Sequence, residues 1–444
     1  MDSIKELKIH KLQSNKLLIL ALFLLLAISI PPEKSYACTS VCLVKNGHVV
    51  FGNNLDWYIV EGMVVINKRN VKKRGLWFNS PPVWTSKYAS VTVNQEGREF
   101  PSRGMNEAGL VIGEMTLSST DYPDRDSRYA VNTLQWIQYQ LDNCSTIDEV
   151  IATDKIIRID KDEYHSHFFV CDSFGNCATI EWINGKLQAH SKEEVPIKVL
   201  ANYPYDYCIT HGNDPSGRFG KAAKMLHDYQ SGNPVEYVFS ILQNVSQPHT
   251  KWSLVFDSKK RIMYYKTALS RELKYISLCD FDLNCVSNVF VSDINSSGNG
   301  NMYNIFIPYS EKFNADIIRT VFKQYVAQFG KTPEEHLLKI IKYPETTTCN
   351  NYGMIKDYNY ILDQNYPNPF NPVTTIGYYL PKNSTFNLIL YDILGREIFT
   401  LFNGEKPFGY HAVKLDASSL TSGVYLYRLQ VDNTSLQKKM VLIR

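Results

Sequence analysis

The sequence predicts an α+β fold, a layered sandwich of sheets and helices, followed by a small all-β sandwich of immunoglobulin-like type. Three observations point to it. The chain has 444 residues, 44% of them hydrophobic and 20% charged, a globular composition on a chain too long for one ordinary core. From Cys38 to about Asp280, strand-like and helix-like text alternate so that sheets bracket helices. Past residue 345 the text turns into a polar linker, a proline cluster and short apolar runs at regular spacing, the pattern of a β-sandwich. The formal charge of +3 is slight and forms no concentrated basic stripe, which argues against a nucleic-acid partner.

Residues 1–37 read as a signal peptide. Lys5, Lys8, Lys11 and Lys16 make a basic start, Leu17 to Ile30 an apolar run, and "PPEKSYA" a helix break with Ser35 and Ala37 where signal peptidase reads. The run is short for a bilayer span, and no later segment is more apolar. Export makes disulfides admissible for the nine cysteines. Cys171 and Cys177 flank the turn "DSFGN" and could close a small loop; Cys279 and Cys285 have the same separation.

Residues 38–345 form the first folded unit. "VCLV", "HVVFG" and "GMVVINK" read as strands, with "KNG" turning between the first two. "YAVNTLQWIQYQL" has helical spacing, and in "STIDEVIATD" Thr146 and Glu149 stand in capping-box register. "HFFVCDSFGNCATIEWINGKLQAH" is a three-strand meander. "GRFGKAAKMLHDYQ" and "PVEYVFSILQNV" are helices, and "WSLVFDSKKRIMYYKT" is a hairpin. From Phe281 to Tyr343 two amphipathic helices, the second capped by Thr332, read as the tail of this unit. Residues 346–364 are the linker. In residues 365–444 the lead "NYPNPFNP" favours extended chain, and six strand-like runs follow between turn signals.

Cleavage after Ala37 would put Cys38 first. A cysteine there unites a thiol nucleophile with an α-amine that titrates near pH ~8, low enough to take the thiol proton. Such a site needs a carboxylate to hold the amine and donors where an oxyanion develops. Asp56 in "GNNLDW", Asn202 in "VLANYPYDY" and Arg218 in "GRFGKAA" are the candidates. Taken singly, each also reads as a turn, loop or helix-end residue.

In order, "CTS", "VVFGNNLDW", "INKRN", "GMNEAGL", "HFFVCDSFGNCATIE", "VLANYPYDY", "GRFGKAA" and "HTKWSLVFDSKKRIMYYKT" resemble the choloylglycine hydrolase family of N-terminal-nucleophile hydrolases, which includes bile salt hydrolases and penicillin V acylases. The resemblance implies a four-layer αββα fold, no metal or other cofactor, and hydrolysis of a linear amide C–N bond in a small N-acyl substrate. It implies Cys38 as nucleophile with its own amine as base, Asp56 positioning that amine, Asn202 in the oxyanion hole and Arg218 polarising the thiol. Two positions depart from the family. Asn53 stands where an arginine is usual, and Thr116 where bile salt hydrolases carry an asparagine. Both bear on substrate choice and disfavour conjugated bile salts.

The block Asn365 to Arg444 resembles the C-terminal sorting domain of the type IX secretion system. This implies that secretion machinery as a partner and a secreted or surface-held product reached through the periplasm. A homo-oligomer is left open. The alternative reading is a surface lipoprotein or binding module with Cys38 lipidated and a decayed site, although Ser35 and Tyr36 are poor lipobox residues. Trp57 and Tyr58 could line an acyl pocket, with Trp77 and Trp84 equally at home in a core. His165 and His167 share a strand face without a third ligand and read as a structural pair.

Overall fold

The computed structural model describes residues 38–443, apart from 77–80, 213–216, 330–331, 350–359, 381–383 and 407–408 and positions 363, 366 and 433. The stretch read as a signal peptide, Trp77 and most of the expected linker lie outside the described residues.

The chain opens with the hairpin Thr39–Lys45 and His48–Asp56. It turns at Asn46 and Gly47, whose φ angles of 53° and 79° are those a two-residue connection of this hand needs. The hairpin belongs to a seven-stranded sheet, in the order Val199–Leu200, Thr39–Lys45, His48–Asp56, Thr250–Asp257, Ile262–Thr267, Lys274–Ser277, Gly300–Asn301. A nine-stranded sheet faces it, centred on Ser166–Cys171, Val111–Thr116, Pro101–Asn106, Ser90–Asn94 and Met63–Asn67. Phe51 and Phe169 meet between the sheets, their ring centroids 5.6 Å apart.

Helices cover both outer faces. Pro234–Asn244 lies on the first sheet, where Asn54 Nδ2 donates to the Leu242 carbonyl at 2.8 Å. Approach is this close because position 52 is glycine: a Cβ there would stand 2.4 Å from Val238 Cγ1. Thr133–Asn143 lies on the second sheet, held by Asn106 Nδ2, which donates to the carbonyls of Leu141 and Cys144 at 2.9 and 2.7 Å. The layers are therefore αββα, as expected. The capping box of Thr146 and Glu149 is formed, and Asn233 caps the helix that Pro234 opens.

Several local expectations shift. Tyr129–Val131 is a short strand paired with Ile157–Ile159, so the following helix starts at Thr133. Pro333, not Thr332, sits at the N-cap of Glu334–Lys342. The region read as a tail adds Phe290–Asp293 to the nine-stranded sheet beside Met63–Asn67. Cys171 and Cys177 are bridged as expected, but Cys285 pairs with Cys349 instead of Cys279. Strand pairing brings Cys349, beside Val71, toward a partner 64 residues away, which spacing alone does not reveal.

The C-terminal region is all-β. One sheet has the order Ile361–Leu362, Val373–Leu380, Gly409–Asp416; the other has Glu397–Lys406, Ser384–Tyr391, Gly423–Val431, Thr434–Leu442. Alternating side chains such as Leu388, Leu390, Tyr427 and Leu429 fill the core between them. Among the described residues, no helix is long and apolar enough to cross a membrane.

Candidate active site

Cys38 lies immediately before the first strand and is 5% exposed. Arg218, first residue of the helix Arg218–Asp228, reaches back to it. Its Nη1 donates to the Cys38 carbonyl at 2.5 Å and to Thr39 Oγ1 at 2.7 Å, and its Nη2 to Asn202 Oδ1 at 3.3 Å. Asn202 follows the strand Val199–Leu200, and its Nδ2 donates to the Thr116 carbonyl at 2.8 Å. One amide hydrogen of Asn202 is thus engaged, and the group has a second to offer. Three segments distant in sequence are tied to one backbone position.

Asp56 ends the second strand and is fully buried. Its Oδ1 accepts from Thr250 Oγ1. Its Oδ2 is buried without a hydrogen-bond partner, 4.0 Å from Arg218 Nη1. Burial pushes this carboxyl up to about 6, against the pull of Thr250 and Arg218. The backbone N–H of Asp56 donates toward the Cys38 sulfur. Burial raises the thiol to about 11, with the charge of Arg103 lowering it and that of Asp56 raising it.

Arg103 was not legible as a site residue. It sits inside the strand Pro101–Asn106, fully buried, with its guanidinium against the Cys38 sulfur and no oxygen acceptor on its three side-chain nitrogens. Its charged neighbours are Cys38, Glu114 and Asp56.

The residues expected to bind substrate divide. Trp57 and Tyr58 contact each other at 4.9 Å between ring centroids, Trp57 meets Tyr164 at 6.4 Å, and Tyr58 meets Tyr325 at 6.1 Å. Thr116 joins this aromatic group, its hydroxyl 2.7 Å from that of Tyr164. Asn53 does not: it is fully buried and donates from Nδ2 to Ser40 Oγ at 2.8 Å. Trp84 packs elsewhere, donating to Asp142 Oδ2 at 2.7 Å with its ring against Tyr139. His167 is buried against Glu181 at 2.9 Å, while His165 falls just before the strand.

Around the buried Cys38 the Arg218 guanidinium binds the cysteine's own carbonyl, Asn202 is bonded to that guanidinium, and the Asp56 carboxylate lies 4.0 Å from it, groups of the kinds that acyl transfer uses. Residues 38–214 match the linear amide C–N hydrolases of the choloylglycine hydrolase family. The chain is a hydrolase of linear amide C–N bonds. Residues 364–443 match a secretion system C-terminal sorting domain, so the protein is secreted or held at the cell surface.

Penicillin V acylase of Pectobacterium atrosepticum is 24% identical over 318 residues, which cover 57% of this chain and 84% of that protein. The structure of penicillin V acylase from Agrobacterium tumefaciens matches with a TM-score of 0.54 at 25% identity, over 62% of this chain and 98% of that one. A mutant of the conjugated bile acid hydrolase of Clostridium perfringens shares the fold, with a TM-score of 0.50 at 18% identity over 59% and 98% of the two chains.

Proposed function

We propose that the protein is an N-terminal cysteine amidohydrolase, activated by removal of residues 1–37, that cleaves small N-acyl amides of the penicillin V type. The unpartnered Oδ2 of Asp56 carries this reading. A buried carboxylate oxygen close to Cys38 is a ready seat for the α-amine that cleavage would free and for the ammonium it becomes on taking the thiol proton.

While Cys38 is joined to Ala37 its nitrogen is an amide and holds no spare lone pair for the thiol proton. Once freed, the α-amine takes that proton and the sulfur attacks the acyl carbon. The carbonyl oxygen becomes an oxyanion facing the second amide hydrogen of Asn202. Collapse breaks the C–N bond as the leaving nitrogen takes the proton back, and water then hydrolyses the thioester. Arg218 fixes residue 38 through its carbonyl. The aromatic group around Trp57, Tyr58 and Tyr164 suits an aryl or alkyl acyl chain. A diacylglycerol thioether would consume the sulfur that attacks the acyl carbon, so a lipidated Cys38 and this mechanism exclude each other. Quenched turnover of a phenoxyacetyl amide should leave an acyl group on a peptide that begins at Cys38.

A further inference from the structure

We propose that Arg103 is the cation that charges the Cys38 nucleophile, standing in from a different strand for the arginine that position 53 lacks. The inference rests on Cys38 being the nucleophile.

Strand register places the side chain. Arg103 is paired with Gly113 on the neighbouring strand, and Met105, two residues on, packs in the core between the sheets. Gly113 faces the same space: a Cβ there would lie 3.1 Å from both Ser40 Oγ and Phe51 Cζ. Ser40 shares the strand face of Cys38, two residues away. Arg103 therefore projects between the sheets toward the nucleophile. Of the charged groups around that sulfur it exerts the largest effect, ahead of Asp56 and Glu114.

What distinguishes Arg103 from Arg218 is that its guanidinium faces the Cys38 sulfur and is held by no oxygen acceptor. Arg218 is bonded to Cys38, Thr39 and Asn202. The guanidinium of Arg103 is fully buried, with no oxygen acceptor on any of its three nitrogens. A dry cation that no oxygen holds is costly unless an anion arrives. The anion available here is the thiolate, formed as the thiol proton passes to the α-amine. Glu114 is half-buried nearby, but its Oε1 is bonded by Ser166 Oγ at 2.5 Å. Asn53 cannot serve as the cation, being neutral and bonded to Ser40.

The test measures iodoacetamide alkylation of Cys38 against pH, with kcat/KM, in the chain processed to begin at Cys38. Arg103→Met is expected to raise the alkylation midpoint by about one pH unit or more and to lower kcat/KM roughly 10²-fold. Arg103→Lys should fall between. If Arg103→Met does not fold, the pair Arg103→Met with Glu114→Gln removes both charges and should still show a raised midpoint, by less than Arg103→Met alone, because Glu114 acts on the thiol in the opposite sense and more weakly. An unchanged midpoint in a folded variant, whatever its activity, overturns the proposal and leaves Arg103 a packing residue. A wild-type Cys38 that resists alkylation would instead overturn the nucleophile reading itself.

Discussion

Asn202 shows how a single side chain serves two ends of the site. One amide hydrogen holds the Thr116 carbonyl and its oxygen receives Arg218, so the amide plane is fixed before any substrate arrives. That preorganisation is what an oxyanion donor requires. Asn202→Ala is therefore expected to lower kcat roughly 10²- to 10³-fold, with a small change in KM, when both are measured on one phenoxyacetyl amide. Thermal unfolding of the same variant should move little, because Arg218 keeps its bonds to Cys38 and Thr39. Asp56, Asn202 and Arg218 could be named from the sequence through their order behind Cys38 and the family resemblance of the motifs that hold them. Arg103 was not, since "SRGMN" reads as ordinary strand text. Its meaning arises only when Gly113 lies beside it and Ser40 opposite, across two sheets.

At the scale of elements, local chemistry made the hairpin turn at Asn46 and Gly47 and the capping box at Thr146 readable in advance. The helix Glu311–Phe329 was readable too, but not what it covers. It brings the Tyr325 hydroxyl to Glu96 Oε1 at 3.3 Å, in the loop before Pro101–Asn106. Burial pushes the carboxyl of Glu96 from its ordinary 4.5 to about 7, and Glu163, raised likewise to about 7, lies within reach of its charge. A carboxyl raised on folding favours the folded state fully below pH 4.5, and that contribution is lost as pH rises through about 7. Glu96→Gln keeps the acceptor and removes the titration. Its unfolding free energy should match wild type near pH 4.5 and exceed it at pH 8 by at most roughly 3 kcal/mol. Equal pH profiles for the two proteins would show that Glu96 stays solvated.

For the whole molecule, one chain joins amide hydrolysis to an export address. The sorting region has a core of its own, with side chains such as Leu388 and Tyr427 enclosed between its two sheets. Deleting residues 365–444 should leave kcat/KM of the purified enzyme within about twofold, since the site is built from residues 38–325. In a host with the secretion machinery the truncated protein should accumulate in the periplasm, as fractionation and immunoblotting would show. The α+β class and the β-sandwich were legible from alternating patterns and the αββα layering from the family resemblance, whereas the Cys285–Cys349 bridge was not legible, because it joins segments that only the completed fold brings together. The account as a whole stands on Cys38 acting through its own freed amine. Its most direct test is the mass of the N-terminal peptide from acid-quenched turnover of a phenoxyacetyl amide. The account predicts a peptide beginning at Cys38 and carrying the phenoxyacetyl group, and none in a variant that retains Ala37. Product formation with Cys38 unacylated, or undiminished turnover with Ala37 still attached, would contradict it.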